Sequence, residues 1–146
     1  MANIFDVAKY ILSSIGDEIS TMKLQKLCYY SQAWNLVWEN EALFEEDFWR
    51  WENGPVCKEL FNIHQGKFCI SANQIPDYKC SGADLSIENI RNIDQIIEDY
   101  GKFNGAELSE MTHKEAPWLN TPKNCIIEKP VIKSYYTMLA NSNKGF

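Results

Sequence analysis

The chain lacks any excess of positive charge. Its 146 residues include 20 Asp and Glu against 14 Lys and Arg, a formal net charge of −6. A nonspecific nucleic-acid binder carries a basic face, so that class is disfavoured and no nucleic-acid partner is expected. No helix-turn-helix with a basic recognition helix is visible either. No apolar run approaches the roughly 18 residues of a membrane span, so no membrane partner is expected. Neither a P-loop, nor GxGxxG, nor HExxH occurs, which leaves nucleotide and metalloprotease chemistry without support and implies no cofactor. Histidine is scarce, with only His64 and His113.

The five cysteines, Cys28, Cys57, Cys69, Cys80 and Cys125, form no CxxC pair. Cys57, His64, Cys69 and Cys80 are zinc-ligand types, but their spacing matches no usual structural zinc pattern, and no metal is expected. The opening stretch from Met1 to Ile11 carries Asp6 and Lys9 inside its apolar run and no basic leader. It does not read as a signal peptide, so reduced thiols in a cytoplasmic protein are expected. A thiol hydrolase needs a Cys within reach of a His, and no nucleophile motif surrounds any of the five. The runs Glu45-Glu46-Asp47 and Glu98-Asp99 read as solvated acidic patches rather than an acid/base pair. No catalytic set is visible, and a protein that is not an enzyme is expected.

What the chain has in abundance is aromatic side chains: 5 Trp, 7 Tyr and 7 Phe. Its length suits one domain with a real core, spanning residues 1–146. Ile4, Val7, Ala8, Ile11, Leu12 and Ile15 lie on one helical face, and Gly16 ends that helix. Ser20 or Thr21 can cap a long second helix, roughly 22–39, with Leu24, Leu27, Cys28, Ser31, Trp34 and Trp38 on one side. Residues 47–51 alternate weakly and suit a short strand, paired with a second over 67–70. Between them Pro55 suits the first position of a third helix, which Gly66 stops. Residues 71–84 read as loop. Ser86 caps a fourth helix carrying Ile87, Ile90, Ile93, Ile97 and Tyr100. Asn104-x-x-Glu107 and Thr112-x-x-Glu115 both fit a capping box. Pro117 forces a change of direction, Pro130 starts the last helix, and the tail from Asn141 is expected to fray. The sum is a mainly α, compact helical domain of five or six helices, with a small two-stranded β element around 47–51 and 67–70.

The second helix holds more aromatics than one buried stripe accommodates, since Tyr29, Tyr30, Trp34 and Trp38 do not project to one side at about 100° per residue. Either other helices cover it all round or part of it faces a partner. Trp49 and Trp51 share a face if 47–51 is extended.

The segment Met22-Lys23-Leu24-Gln25-Lys26-Leu27-Cys28-Tyr29-Tyr30-Ser31-Gln32-Ala33-Trp34 resembles the opening signature of the Panacea-domain family of SocA-like antitoxins and phage-associated GepA-like proteins. Leu43-Phe44, Trp51-x-x-Gly54-Pro55-Val56, Leu108-Ser109-x-x-Thr112-His113-x-Glu115-x-Pro117-Trp118 and Tyr135-Tyr136 follow in the family's order. Two departures stand out. Phe48-Trp49 is heavier than the family pattern, and Leu119-Asn120-Thr121-Pro122 stands where the family often continues with Ala-Arg.

The resemblance implies an antitoxin of a bacterial or phage toxin–antitoxin pair. Such a protein neutralises a toxin encoded beside it by direct protein–protein binding, without catalytic residues. The alternative it leaves open is a phage-associated interaction protein or an adaptor that presents a partner to a protease. Aromatic surplus and motif position together select Tyr30, Trp38, Trp49, Trp51, His113 and Trp118 as partner-interface candidates, at least half of them expected to be core. Gly54, Pro55, Thr112, Glu115 and Pro117 are expected to hold the fold.

Overall fold

The computed structural model describes residues 1–142. At its centre is α2 (Thr21–Trp38), begun by the Ser20 hydroxyl, which accepts from Lys23 N at 3.0 Å. From Leu24 to Ala33 every side chain of α2 is buried. A helix wrapped on all sides needs neighbours all round, and it has them in α1 (Ile4–Ile15), α4 (Ile87–Tyr100), α5 (Gly105–His113) and α7 (Lys129–Ser142). The surplus of aromatics on α2 is therefore absorbed mostly by a second layer of helix. Tyr30 stacks on Tyr100 with ring centres 4.1 Å apart, and Tyr29 sets its ring against Phe48 and Tyr136.

The polar residues buried on α2 are paired with the backbone of the connections around it. The Gln32 amide donates to Phe44 O and accepts from Leu43 N, both at 2.7 Å. Two helical turns earlier, the Gln25 amide accepts from Cys57 N at 2.9 Å and donates to Cys57 O at 3.1 Å. Asn35 donates to Glu41 O at 3.0 Å. Most of these amides satisfy backbone groups of the connections around α2; Cys57 O also accepts from Phe61 N at the start of α3. Gln32→Ala leaves one donor and one acceptor unpaired in the interior. It is expected to lower stability by about 2–4 kcal/mol, read as a lower midpoint in urea with an unchanged slope.

The outer helices start where their caps lie. Asn3 and Asp6 form a capping box that opens α1, and Gly16, at φ 84°, closes it with its N–H on Leu12 O. Ser86 caps α4, and Asn104 with Glu107 caps α5, both as the sequence indicates. Among the described residues there are seven helices rather than five or six, because a four-residue α6 (Ala116–Leu119) follows α5; the expected third helix is α3 (Lys58–His64). The mainly α architecture holds. Since α7 runs through Ser142, the frayed tail expected from Asn141 falls otherwise on residues outside those described.

The strands correct the sequence reading. β2 (Phe48–Trp51) forms, but it does not pair with 67–70. It turns back through a two-residue loop onto β3 (Gly54–Val56) and takes β5 (Ile126–Ile127) on its other side. β4 (Cys69–Ile70) pairs instead with β1 (Ile19–Ser20), just before α2. Pro55 is accordingly a strand residue opposite Arg50 and not the start of a helix; α3 begins three residues later. β3 is an edge strand, where a residue without an N–H is tolerated. The stretch 71–84 is irregular except for two short 3₁₀ turns, Ala72–Gln74 and Asp77–Lys79.

The second capping box is also corrected. Thr112 lies inside the last turn of α5, and its hydroxyl donates to Ser109 O at 2.7 Å. The Glu115 carboxylate instead accepts from Tyr30 OH at 2.7 Å and Tyr136 OH at 2.8 Å. Two phenols in the core offered it stronger partners than the end of a helix does. Burial holds the Glu115 carboxyl above its ordinary value, against the two hydroxyls that favour its charge.

Candidate partner-binding cleft

Three stretches far apart in sequence meet on one side of the molecule. They are the first turns of α2, the β2–β3 hairpin running on into α3, and α6 with the loop that follows it. Between them opens a cleft of about 690 Å³. Its floor holds Gln25, Lys26 and His64; Trp51, Val56, Phe61 and Trp118 form apolar walls; Arg50, Lys123 and Asn124 reach its edge.

The floor is tightly specified. The second amide hydrogen of Gln25 points at His64 Nε2, 3.0 Å away, so that nitrogen is the acceptor and the ring proton sits on Nδ1. Burial lowers the His64 pKa, in keeping with a neutral ring. Beside it Lys26, 1% exposed, donates to Pro55 O at 3.1 Å. No carboxylate pairs with it among the described residues, whose two ion pairs are Lys9–Asp77 and Lys129–Asp47. Desolvation alone brings the amine down to about 7.

Gly54 makes this arrangement possible. Its φ is +115°, and a Cβ built there would stand 2.7 Å from Lys26 Cε and 2.8 Å from Thr112 Oγ1. The hairpin can lie flat on α2 and α5 only because that atom is missing. Ser109 reinforces the seating by donating to Asn53 O.

The aromatic wall is a linked set. Trp118 Nε1 donates to Trp51 O at 2.9 Å, and Arg50 Nε donates to Trp118 O at 3.0 Å. The Arg50 guanidinium lies 3.9 Å from the Trp118 ring centre, and the His113 ring 4.2 Å from it. Trp51 sets its edge on Phe61 and donates from Nε1 to Asn124 Oδ1 at 3.2 Å. His113 Nε2 is buried and has no hydrogen-bond partner among the described residues.

The six aromatic and histidine candidates thus separate by place. Trp51 and Trp118 line the cleft, both half-buried, with His113 packed behind Trp118. Trp49 shares the β2 face of Trp51 but lies outside the cleft, its ring capped by Lys58 Nζ at 3.4 Å from the centre. Trp38 stacks on Trp34 at the far end of α2, 42% exposed. Twelve residues of helix, about 18 Å of rise, separate it from Lys26. Tyr30 has no exposed surface, and this fold gives it no route to a partner.

Sequence reasoning passed over Gln25, Lys26, Arg50 and His64. A signal was present for Lys26: a charged residue between Leu24 and Leu27, in a helix with too many aromatics for a single stripe.

The cysteines offer no thiol chemistry at this site. Cys28 and Cys57 are buried, and burial pushes both thiols well above their ordinary value. No helix among the described residues is long and apolar enough to cross a membrane.

The fold is that of a helical domain in which three separated motifs contribute to one cleft. The family model for the SocA-like antitoxins, the Panacea domain, matches residues 24–119, about two thirds of the chain. The chain belongs to that family. Searches of curated proteins and of solved structures give no match.

Proposed function

We propose that this chain is the antitoxin of a toxin–antitoxin pair and neutralises a protein toxin, encoded by the neighbouring gene, by direct binding. The observation that carries the reading is the meeting of three separated family motifs around one cleft with half-exposed tryptophans on its wall. Trp51 and Trp118 are the contact residues in this reading, with His113 and Arg50 fixing the Trp118 ring. Tryptophan and arginine are, with tyrosine, the side chains most enriched among those that dominate protein interfaces. No catalytic step is required of the chain: binding masks the toxin.

The test is growth rescue. The adjacent open reading frame is induced in cells with and without this chain, and viable cells are counted. The neighbour alone is expected to kill and the pair to grow, with toxin abundance on an immunoblot unchanged. Falling abundance would favour a protease adaptor over masking. Trp51→Ala and Trp118→Ala are each expected to weaken toxin binding at least tenfold and to lose rescue. Trp38→Ala, at the other end of α2, is expected to rescue as the parent does. Circular dichroism of each variant separates a lost contact from a lost fold.

A further inference from the structure

The chain is acidic, yet its cleft is not. Lys26, Arg50 and Lys123 face it, against the single carboxylate of Glu52. The deepest of these cations, Lys26, is enclosed and short of acceptors. An ammonium has three hydrogens to donate, and Lys26 has one acceptor, Pro55 O. The neighbouring Gln25 is fully engaged with Cys57 and His64 and offers it nothing. The lysine stem packs against Gly54, where an added Cβ would stand 2.7 Å from Lys26 Cε. An unpaired cation held in the interior is costly to folding, and a ligand anion is the missing partner.

We propose that the cleft receives a carboxylate side chain from an acidic segment of the protein partner, paired with Lys26 on the floor and flanked by an apolar residue against Trp51 and Trp118. The partner being a protein rests on the antitoxin reading. The carboxylate rests on the cleft itself. Its floor presents one amine rather than a fan of backbone N–H groups, because Cys57 N is already taken by Gln25. One amine suits a two-oxygen acceptor; a phosphate is better served by a cradle of several N–H donors. The apolar walls ask for an aromatic or branched residue next to the acid. Arg50, held against Trp118 by its Nε, leaves the rest of its guanidinium fork for the same segment.

The experiment uses a random peptide library displayed on phage, selected on the full chain. Enriched sequences are expected to place Asp or Glu beside Phe, Trp, Leu or Ile. A synthetic copy of one of them is then titrated against the parent, Lys26→Met and Arg50→Gln. Replacing the acid of the peptide by its amide, or Lys26 by Met, is expected to weaken binding about tenfold to a hundredfold, the scale of a desolvated charge-assisted hydrogen bond. Arg50→Gln is expected to weaken it less and serves where Lys26→Met alters the fold. Enrichment of neutral or basic peptides, no enrichment at all, or unchanged affinity in both variants overturns the proposal. Displacement of the peptide by inorganic phosphate at equal concentration also overturns it and assigns the cleft to a free anion. Growth rescue without acidic-peptide binding removes this inference and leaves the antitoxin reading standing. Acidic-peptide binding with a harmless neighbouring gene does the reverse.

Discussion

Gly54→Ala is expected to destabilise the protein by about 2–6 kcal/mol, enough to unfold much of it at physiological temperature. Two penalties combine. The residue stands at φ +115°, where an L side chain is strained. The added methyl also meets the Lys26 stem at 2.7 Å and the Thr112 hydroxyl at 2.8 Å. Neither neighbour can yield cheaply, since Lys26 is enclosed and Thr112 is bonded into the last turn of α5. Thermal unfolding followed by circular dichroism checks this. A midpoint within a few degrees of the parent would mean that the hairpin can lift off α2 at little cost, and the cleft floor would then not be rigid. Gly16→Ala is the control. It too is a positive-φ glycine, at +84°, but nothing stands within 4 Å of an added Cβ. Its loss is expected to be smaller, because strain acts there without overlap.

Lys26→Met is expected to act in the opposite direction. Replacing a buried ion pair by apolar side chains is often neutral or stabilising by about 1–4 kcal/mol. A lone buried amine has no Coulombic partner to lose, and here the gain is offset by about 1 kcal/mol for the lost bond to Pro55 O. The gain is expected to depend on pH in a definite sense. The lysine pKa falls from 10.5 to about 7 on folding. Below about 7 the amine is charged in both states, and the folded parent carries the whole desolvation penalty. Between about 7 and 10.5 the unfolded chain binds the extra proton, so the parent gains stability as pH rises. The advantage of Lys26→Met should thus be greatest at pH 6 and fall steadily as pH rises toward 10.5. Arg50 and Glu52 line the same cleft from the hairpin. His64 on the same cleft floor feels this amine, whose charge helps to lower its pKa, so its response to the substitution adds to the difference in acid and acts in the same direction. Urea midpoints of both proteins at several pH values give the curve. A difference that does not vary with pH would mean that Lys26 keeps an ordinary pKa through water or an unrecognised partner. A variant more stable than its parent yet poorer at binding an acidic peptide would identify Lys26 as a residue held for recognition at the expense of stability.

Much of the helical frame was legible because its signals are local. α1 follows from an apolar stripe closed by Gly16, and α4 and α5 from Ser86 and Asn104 at their caps. Such devices act within four or five residues, and the chain order displays them directly. The strands were less legible. A two-residue strand such as Cys69–Ile70 has no periodicity of its own, and only the arrival of Ile19–Ser20 beside it creates the ladder. Pro55 suits both the first turn of a helix and an edge strand, and the choice fell to Arg50 across the hairpin. Thr112-x-x-Glu115 carries the right letters for a capping box, but Tyr30 and Tyr136 claimed the carboxylate from 85 and 21 residues away.

The sequence by itself determined the mainly helical class, the ends of most helices and, through its motifs in order, the Panacea-domain family. Spacing and side-chain chemistry act locally, so these survive without knowledge of neighbours. Only the tertiary structure decided which aromatics face outward. Tyr30 and Trp38 sit on the same helix, and what separates them is whether α4, α5 and α7 reach far enough to cover them. It alone also decided that Lys26 would be enclosed without a counter-charge beneath the Gly54 hairpin. Burial is a property of what packs against a residue, and those neighbours came from distant parts of the chain.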